Sequence, residues 1–597
     1  MHLPAPAAEE AVAAELAGPA GTGPTGLPGL PGLPGLPGLP GLIGPIGSTG
    51  STAPTGLIGP IGSTDPTALI GPIGSTDPTA LIGPPDARPG LAAAYAAALP
   101  GARAAVLTRL WRAFAFEPLP WITRRERGSG TLVLRLASGS RLEGPLPDPY
   151  ATTFSAVRAS APPVTELLLD GRPYRRAAAL VAALGLPYGE EFAAELDEST
   201  ASLALSRAGQ PADSGTGGAA AGLAAWEWEQ RVVDGHPYHP NCRSRPGFTV
   251  AEQLAYAPEH RPVVALGLAV VRAGECRVTG EWPERWREAG RILVPVHPWQ
   301  AAHVVKQGQP KEDRHGSGNV YELRPGPAAH PLMALRTLSP ADGGPHVKTA
   351  LSTRLTSSVR DISVYSIETA AAVSAFAQSL SERLDGRLHV TRTLGAVTAG
   401  TPDLAAVLRE PPEAYADRGA GEQVLPVAAL ALTPYARSDA WRAGFARLAL
   451  SVCLRVLDLG VALEAHGQNL LVVLSADGTP QRLVYRDLAD IRISPARLAR
   501  HGLSAPPLSG RLITDDVTLL RRKLFGSLVA GALGSTAGSA AALAADLAAA
   551  EPGLPSTADT RALLTGPLPT KALTLMRLSP GVPGDQWAAL DNPLTGG

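Results

Sequence analysis

The chain is poor in lysine. Only Lys306, Lys311, Lys348, Lys523 and Lys571 occur among 597 residues, so a lysine inside a polar motif stands out. Cysteine is scarcer still: Cys242, Cys276 and Cys453 lie far apart with no C-x-x-C pair. That excludes a disulfide framework and a thiolate zinc site, and it fits a reducing cytoplasm. Charge of one sign is also lacking. A net charge of -1 gives no global field for nucleic acid or for a strongly basic partner. No uninterrupted apolar run of about 20 residues appears, so no membrane span is expected. The first residues show no basic stretch followed by an apolar one, so no secretory signal is expected either. No Gly-Lys dipeptide exists, which excludes a P-loop. A V-A-I-K kinase segment and a G-x-S-x-G elbow are likewise missing. What remains is a chain that is 45% hydrophobic and long enough for several domains.

Residues 1–90 differ from the rest. Leu-Pro-Gly triplets run from Leu27 to about Gly41, and a twelve-residue unit, Leu-Ile-Gly-Pro-Ile-Gly-Ser-Thr-Asp-Pro-Thr-Ala, recurs from Leu57. Pro and Gly at this density oppose helix and sheet, so a disordered tail is expected. From Leu91 the sequence turns globular. Apolar spacing predicts a helix over Ala93–Phe116, with Trp111 and Phe114 on one face. A hairpin is expected over Gly130–Arg141, with helices over Arg175–Leu186 and Tyr188–Arg207. Ser214–Gly222 reads as a linker. These signals divide the chain into a tail (1–90), a mostly helical region (91–230), a strand-rich region (231–402) and a last region (403–597). The last region is read as beginning and ending helical around a hairpin.

Four polar constellations carry chemistry. The stretch Lys348–Arg360 reads as a strand entering a tight turn or helix start, with Thr356 and Ser357 at the bend. A Lys, hydroxyls and an Arg on one element suit an anion with several oxygens. Arg336, twelve residues before Lys348, is placed to join them from a neighbouring strand. Three converging cations repel unless an anion neutralises them. The second constellation is Gly235–Phe248, where His236, His239, Arg243 and Arg245 sit among three prolines that stiffen the loop. Too few ligands lie nearby for zinc, and an anion-binding reading uses all four basic groups. The third, His297-Pro298-Trp299-Gln300, ends a strand and reads equally as the edge of a core. The fourth runs from Glu464 through His466, Gln468 and Asn469 into a hairpin that returns at Arg486-Asp487. It places Asn469 and Asp487 at one end, and with Glu464 they supply hard oxygen ligands for Mg²⁺.

In order, the motifs Gly-His-Pro-x-His-Pro-x-x-Arg-x-Arg-x-Gly-Phe, His-Pro-Trp-Gln, Arg-Thr, Lys followed by Thr-Ser-x-x-Arg, and Glu-x-His-x-Gln-Asn with a later Arg-Asp resemble the NRPS-independent siderophore synthetases of the IucA/IucC type. The match runs from about Leu91 to the C-terminus. The resemblance implies an α+β, multi-domain, hand-like fold of thumb (91–230), fingers (231–402) and palm (403–597) with mixed and antiparallel sheets. It implies ATP-dependent adenylation of citrate or a citrate derivative, then attack by an amine, such as a hydroxylated diamine, or by an alcohol. It implies catalytic roles for Arg360, Lys348, His466 and His236. Nucleotide and substrate contacts are implied for His239, Arg243, Arg336, Thr356, Ser357, Gln468, Asn469 and Asp487. Mg²⁺ would sit on Glu464, Asn469 and Asp487, in a cytoplasmic homodimer that binds neither nucleic acid nor membrane. Arg243 stands where Lys is usual, and Ala334 where Ser often precedes Leu-Arg-Thr. Two other readings are a kinase-like phosphotransferase, from His466-x-x-Asn469 with Asp487, and a non-catalytic citrate- or iron-chelate-binding module. Iron-reductase-like domains carry a C-terminal Cys cluster, and no cysteine follows Cys453.

Overall fold

The computed structural model describes residues 8–17, 90–152, 162–211, 222–305, 321–356 and 358–595. Helix α1 (Ala8–Ala17) lies inside the stretch expected to be structureless, and the expectation gives way there. Its Glu9 is buried and bonds Arg103, with Nη2–Oε2 at 2.6 Å. The repeats themselves, and most of the expected linker at 214–222, fall outside the described residues.

Helix α2 (Leu91–Phe116) matches its apolar periodicity. It buries Leu107, Trp111 and Phe114 completely. Its partners are α3 (Ala177–Leu184), α4 (Gly189–Ala208) and a five-stranded antiparallel meander. The meander comprises β1 (Ile122–Arg127), β2 (Thr131–Leu136), β3 (Arg141–Pro145), β4 (Leu167–Leu169) and β5 (Arg172–Tyr174). This sheet stands beside the helices expected in the region, and its β2 falls within the expected hairpin. Its short, charged strands bury one face only, which leaves a weak periodic signal. Helix α2 also has the length and apolarity of a membrane span, but its large side chains are spent on this core.

The middle region opens with α5 (Ala225–Gln230) and α6 (Val250–Tyr256) and builds a nine-stranded antiparallel sheet. In chain order its first strands are β6 (Val264–Arg272), β7 (Arg277–Gly280), β8 (Arg287–Glu288) and β9 (Arg291–Val296). After α7 (Pro298–Gln300) come β10 (Glu322–Pro331), β11 (Thr337–Pro340) and β12 (His346–Thr349). The hairpin β13 (Leu351–Leu355) with β14 (Ser358–Arg360) then leads to α8 (Val364–Ser381) and β15 (Leu388–Val390). Strands β16 (Thr393–Thr398) and β17 (Ala405–Arg409) complete the sheet, whose order is β7-β16-β17-β12-β11-β10-β6-β9-β8. The boundary expected at 402 is therefore wrong. β17 sits between β16 and β12 and supplies the hydrogen bonds that both would otherwise lack.

The last region holds β18 (Gln423–Pro426), α8's successor α9 (Asp439–Leu459), β19 (Val461–Ala462), β20 (Leu470–Leu474) and β21 (Pro480–Tyr485). The expected hairpin is β20–β21, turning at Asp477-Gly478, with Gly478 in the left-handed region. With β15 and β18 it forms a four-stranded sheet under α9. The chain does not end helical: Leu568–Lys571 pairs with Trp587–Leu590. This end packs back on the first region, where the buried carboxylate of Glu117 accepts the N–H groups of Thr574 (3.1 Å) and Leu575 (2.7 Å). Removing that acceptor leaves two buried donors unmet. Glu117→Ala is expected to lower unfolding stability by about 2–4 kcal/mol, read as a drop in the urea midpoint.

Candidate active site

Lys348 on β12 pairs with Val407 on β17, and His346 pairs with Arg409. Paired and alternate residues share a face, so Lys348, His346 and Arg409 project from one side of the sheet. The β20–β21 hairpin brings Asp487 to that side. Lys348 Nζ lies 2.7 Å from Asp487 Oδ2, and Arg409 Nη2 lies 3.6 Å from Oδ1. Arg336 closes the group from the turn before β11. It donates to the carbonyls of Arg360 and of Asp361, the latter at 2.8 Å. Arg360 folds back to donate to Leu355 O at 3.0 Å. Lys348 and Arg409 thus hold the carboxylate of Asp487, with Arg336 and Arg360 within electrostatic range of it and Asp361 within range of Arg336.

Their protonation follows from burial. Arg336 is pushed down to about 10 by burial and then by Arg360. Burial also lowers Arg360 and Arg409. Lys348 is pulled down to about 7 by burial, with Asp487 opposing and Arg336 and Arg409 assisting. Burial alone would raise Asp487. Lys348 and then Arg409 override it and hold the carboxyl well below its usual range.

Backbone strain gathers at the same place. Leu335 (φ 65°), Thr356 (φ 60°) and Asp487 (φ 73°) all occupy the left-handed region. Such a conformation costs a non-glycine residue about 1–3 kcal/mol. Leu335 immediately precedes Arg336, and Thr356 forms the tip of the β13–β14 hairpin. That tip corrects one expectation, because the bend is a hairpin turn and not a helix start. α8 begins only at Val364, capped by Ser363. Ser357 lies outside the described residues.

The histidine loop divides. His236 Nδ1 accepts the N–H groups of Tyr238 (3.2 Å) and His239 (3.1 Å), and His239 Nδ1 accepts that of Asn241 (3.0 Å). His466 Nδ1 accepts the N–H of Gln468 at 3.2 Å. Each ring therefore carries its proton on Nε2. Burial pushes His239 down to about 3 and lowers His466 as well. These are neutral donors, not cations. His236 is open to solvent and lies within electrostatic range of His239 and His466, and His239 feels Arg360. Arg243 is a correction. Its Nε donates to Val233 O at 2.7 Å, one Nη to Val232 O, and the other faces Glu259 at 3.6 Å. Arg245 bonds the same carboxylate at 2.7 Å. A fully buried Glu259 attracts both guanidiniums inward, so the loop offers no pair of free arginines. His297-Pro298-Trp299-Gln300 closes a core edge: His297 is fully buried, and Trp299 stacks on Phe248 with centroids 5.0 Å apart.

The expected magnesium set is also redistributed. Asn469 stands beside Asp487, since Arg486 donates its N–H to Asn469 O at 3.0 Å, and Asn469 Nδ2 reaches Glu464 O at 3.3 Å. Glu464, however, accepts Lys523 Nζ (3.2 Å) and Lys571 Nζ (3.0 Å). Both carboxylates of the set are matched by cations. Among the described residues no group of three His, Cys, Asp or Glu side chains forms a metal cluster. As they stand, these donors do not fit a resident metal. The cations do fit a polyanion such as a nucleotide phosphate.

Residues 224–432 match the IucA / IucC family, and residues 439–582 match a family described as ferric iron reductase FhuF-like transporter. The chain is similar to the citryl-spermidine/3,4-dihydroxybenzoyl-citryl-spermidine:spermidine ligase of Bacillus anthracis, 25% identical over 44% of this chain and 50% of that one. It is also similar to the staphyloferrin A synthase of Staphylococcus aureus, 23% identical over 48% and 56%. The match thus spans about half the length of these curated relatives. Two solved structures share the fold. The petrobactin biosynthesis protein AsbB of Bacillus anthracis has a TM-score of 0.68 at 18% identity, covering 84% of this chain and 98% of that one. The ATP-bound aerobactin synthetase IucA of Klebsiella pneumoniae has a TM-score of 0.63 at 19% identity, covering 83% and 99%. In the span matching the FhuF-like family the sole cysteine is Cys453, buried in α9 with its thiol pushed up to about 12.

Three site elements carried no sequence signal. Arg409 ends a strand that reads as an ordinary apolar run. Glu229 is fully buried and holds two site segments together, accepting Arg486 Nη1 at 2.7 Å and Met333 N–H at 3.0 Å. Arg109, inside α2, donates to the carbonyls of Asp234, His236 and Pro237, each at 3.1 Å, and so fixes the histidine loop.

Lys348 supplies a pH test. The free protein loses this charge as pH rises through about 7, and a bound polyanion requires it. Affinity for inorganic tripolyphosphate is expected to fall by about tenfold per pH unit above that point, measured calorimetrically. Lys348→Arg should flatten the profile.

Proposed function

We propose that this chain is an ATP-dependent acid–amine ligase of siderophore biosynthesis. In this reading it adenylates a carboxylate of citrate or a citrate derivative, and an amine or alcohol then displaces AMP. The observation that carries the reading is the convergence of Arg336, Lys348, Arg360 and Arg409 on one carboxylate. That excess of buried positive charge calls for an anionic ligand. The relatives named above as ligase and synthase, and the ATP-bound structural neighbour, support it. The three regions would serve as thumb, fingers and palm around the site.

The chain's own groups supply two things. The fixed cations stabilise the negative charge that builds as the substrate carboxylate oxygen attacks the α-phosphorus and pyrophosphate departs. The neutral Nε2–H groups of His236 and His466 donate hydrogen bonds that orient the remaining carboxylates and hydroxyl of the acid. Holding acid and nucleotide together makes the first step effectively unimolecular. The second step forms a C–N or C–O bond, breaks the acyl–phosphate bond and releases AMP. An amine that arrives unprotonated needs no general base. No step is assigned to a metal, because Glu464 and Asp487 are both engaged with cations.

Citrate-dependent ATP–pyrophosphate exchange tests this reading. Exchange should occur with citrate or a citrate monoamide, and Arg360→Ala should lower it by about 10²–10³ without loss of fold. Release of ADP, as from a phosphotransferase, would contradict it.

A further inference from the structure

Helix α1 is held by the first region, yet residues 18–89, which carry the repeats, separate it from α2 in sequence. Glu9, Val12 and Leu16 share one helical face, and Val12 and Leu16 pack against the core of that region. Arg103 on α2 donates to Glu9 Oε2 from Nη2 (2.6 Å) and from Nε (3.1 Å). Arg176, just before α3, stands 3.4 Å from the same oxygen. Tyr95 Oη donates to Glu9 O at 3.1 Å. Asp197 on α4 accepts the N–H of Ala8 at 2.6 Å, and its other oxygen accepts Arg176 Nη2 at 2.9 Å. Glu10 and Glu15 face solvent. The first region thus offers a receptor for one face of an acidic helix, with two arginines matched to a single buried carboxylate.

The helix that receives α1 also carries the histidine loop. From α4, Glu195 accepts Asn241 Nδ2 at 2.6 Å. Glu198 accepts Ser244 Oγ and Arg245 N–H, each at 3.1 Å. Ser199 donates to Pro240 O at 3.0 Å and accepts Arg243 N–H at 3.2 Å. α1 also packs on α6, which begins two residues after Phe248 ends the loop. It therefore bears on the helix that holds the loop and on the helix that follows it.

We infer that α1 is a tethered latch: docked, it holds α4 and α6 and through them the histidine loop, and released, it lets that loop loosen. α4 shares its core with α2 and α3 as well, so release opens the structure locally and not globally. The covalent link keeps α1 at a high effective concentration beside its receptor. A cut anywhere between residues 18 and 89 turns docking into an encounter of two molecules, and dilution then empties the receptor. The order of the loop is thereby made conditional on an intact N-terminal segment. This does not depend on the ligase reading.

Deuterium uptake by the full chain tests the latch. Glu9→Ala removes the polar contact and Leu16→Asp the apolar one, and both leave the receptor untouched. In each, amides of residues 8–17 should lose protection and amides of residues 235–256 should take up deuterium about tenfold faster than in wild type, with β6 and β9 unchanged. The same should follow when a protease site inserted between Gly41 and Leu42 is cut and the freed fragment is removed. Wild-type uptake over 235–256 with α1 undocked would overturn the latch, and so would unchanged protection of 8–17 in both variants. One further readout does rest on the ligase reading: the citrate KM of ATP–pyrophosphate exchange should rise severalfold in both variants at unchanged kcat. An unchanged KM with a loosened loop would overturn control of the site by α1. Absence of exchange in the wild type would overturn the ligase reading and leave the deuterium measurement to decide the latch.

Discussion

The ion pair between Lys348 and Asp487 is the contact on which the site depends. Lys348 belongs to the centre of the nine-stranded sheet, and Asp487 to a hairpin formed 139 residues later in the chain. Neither group is stable alone at its depth. A buried lysine without a partner loses its proton, and a buried carboxylate without one gains it. Their meeting joins the large sheet to the last region at the site. It also leaves Arg336, Arg360 and Arg409 as surplus charge around the join.

Other buried pairs hold that geometry without entering the chemistry. Glu229 ties the turn before Arg336 to the end of β21 through Arg486. Glu259 gathers Arg243 and Arg245 behind the histidine loop, and Arg109 fastens the same loop from α2. These contacts cost much to break but gain little over an apolar substitute. Their value here is that they set positions. The strained backbone at Leu335, Thr356 and Asp487 belongs with them, since surrounding structure must over-determine such residues for them to persist.

Local patterns made much of this legible. Helical periodicity located α2 to within a few residues, and the turn at Asp477-Gly478 located β20–β21 and with it the nearness of Asn469 and Asp487. The Arg336, Lys348 and Arg360 grouping followed from strand adjacency. Long-range pairing was not legible. Arg409 looks like the end of an apolar strand until β17 is seen wedged between β16 and β12. Arg243 looks like a ligand residue until Glu259 is seen beneath it. Of the five-stranded meander only β2 was legible, from its alternating leucines, and the short strands around it mimic loops. The sign of the histidine loop was not legible either: proline-stiffened imidazoles suggest cations, but each Nδ1 accepts backbone N–H groups, which makes the rings neutral donors. Glu464 was likewise assigned to a metal because nothing local reveals Lys523 and Lys571 beside it.

The central claim is that the cations around Asp487 form the phosphate subsite of the proposed ligase. A crystal structure of the chain with ATP and Mg²⁺ tests it most directly. The account predicts phosphate oxygens within hydrogen-bonding distance of Lys348 and Arg409. Phosphates bound elsewhere, with no oxygen near Lys348 or Arg409, would contradict it.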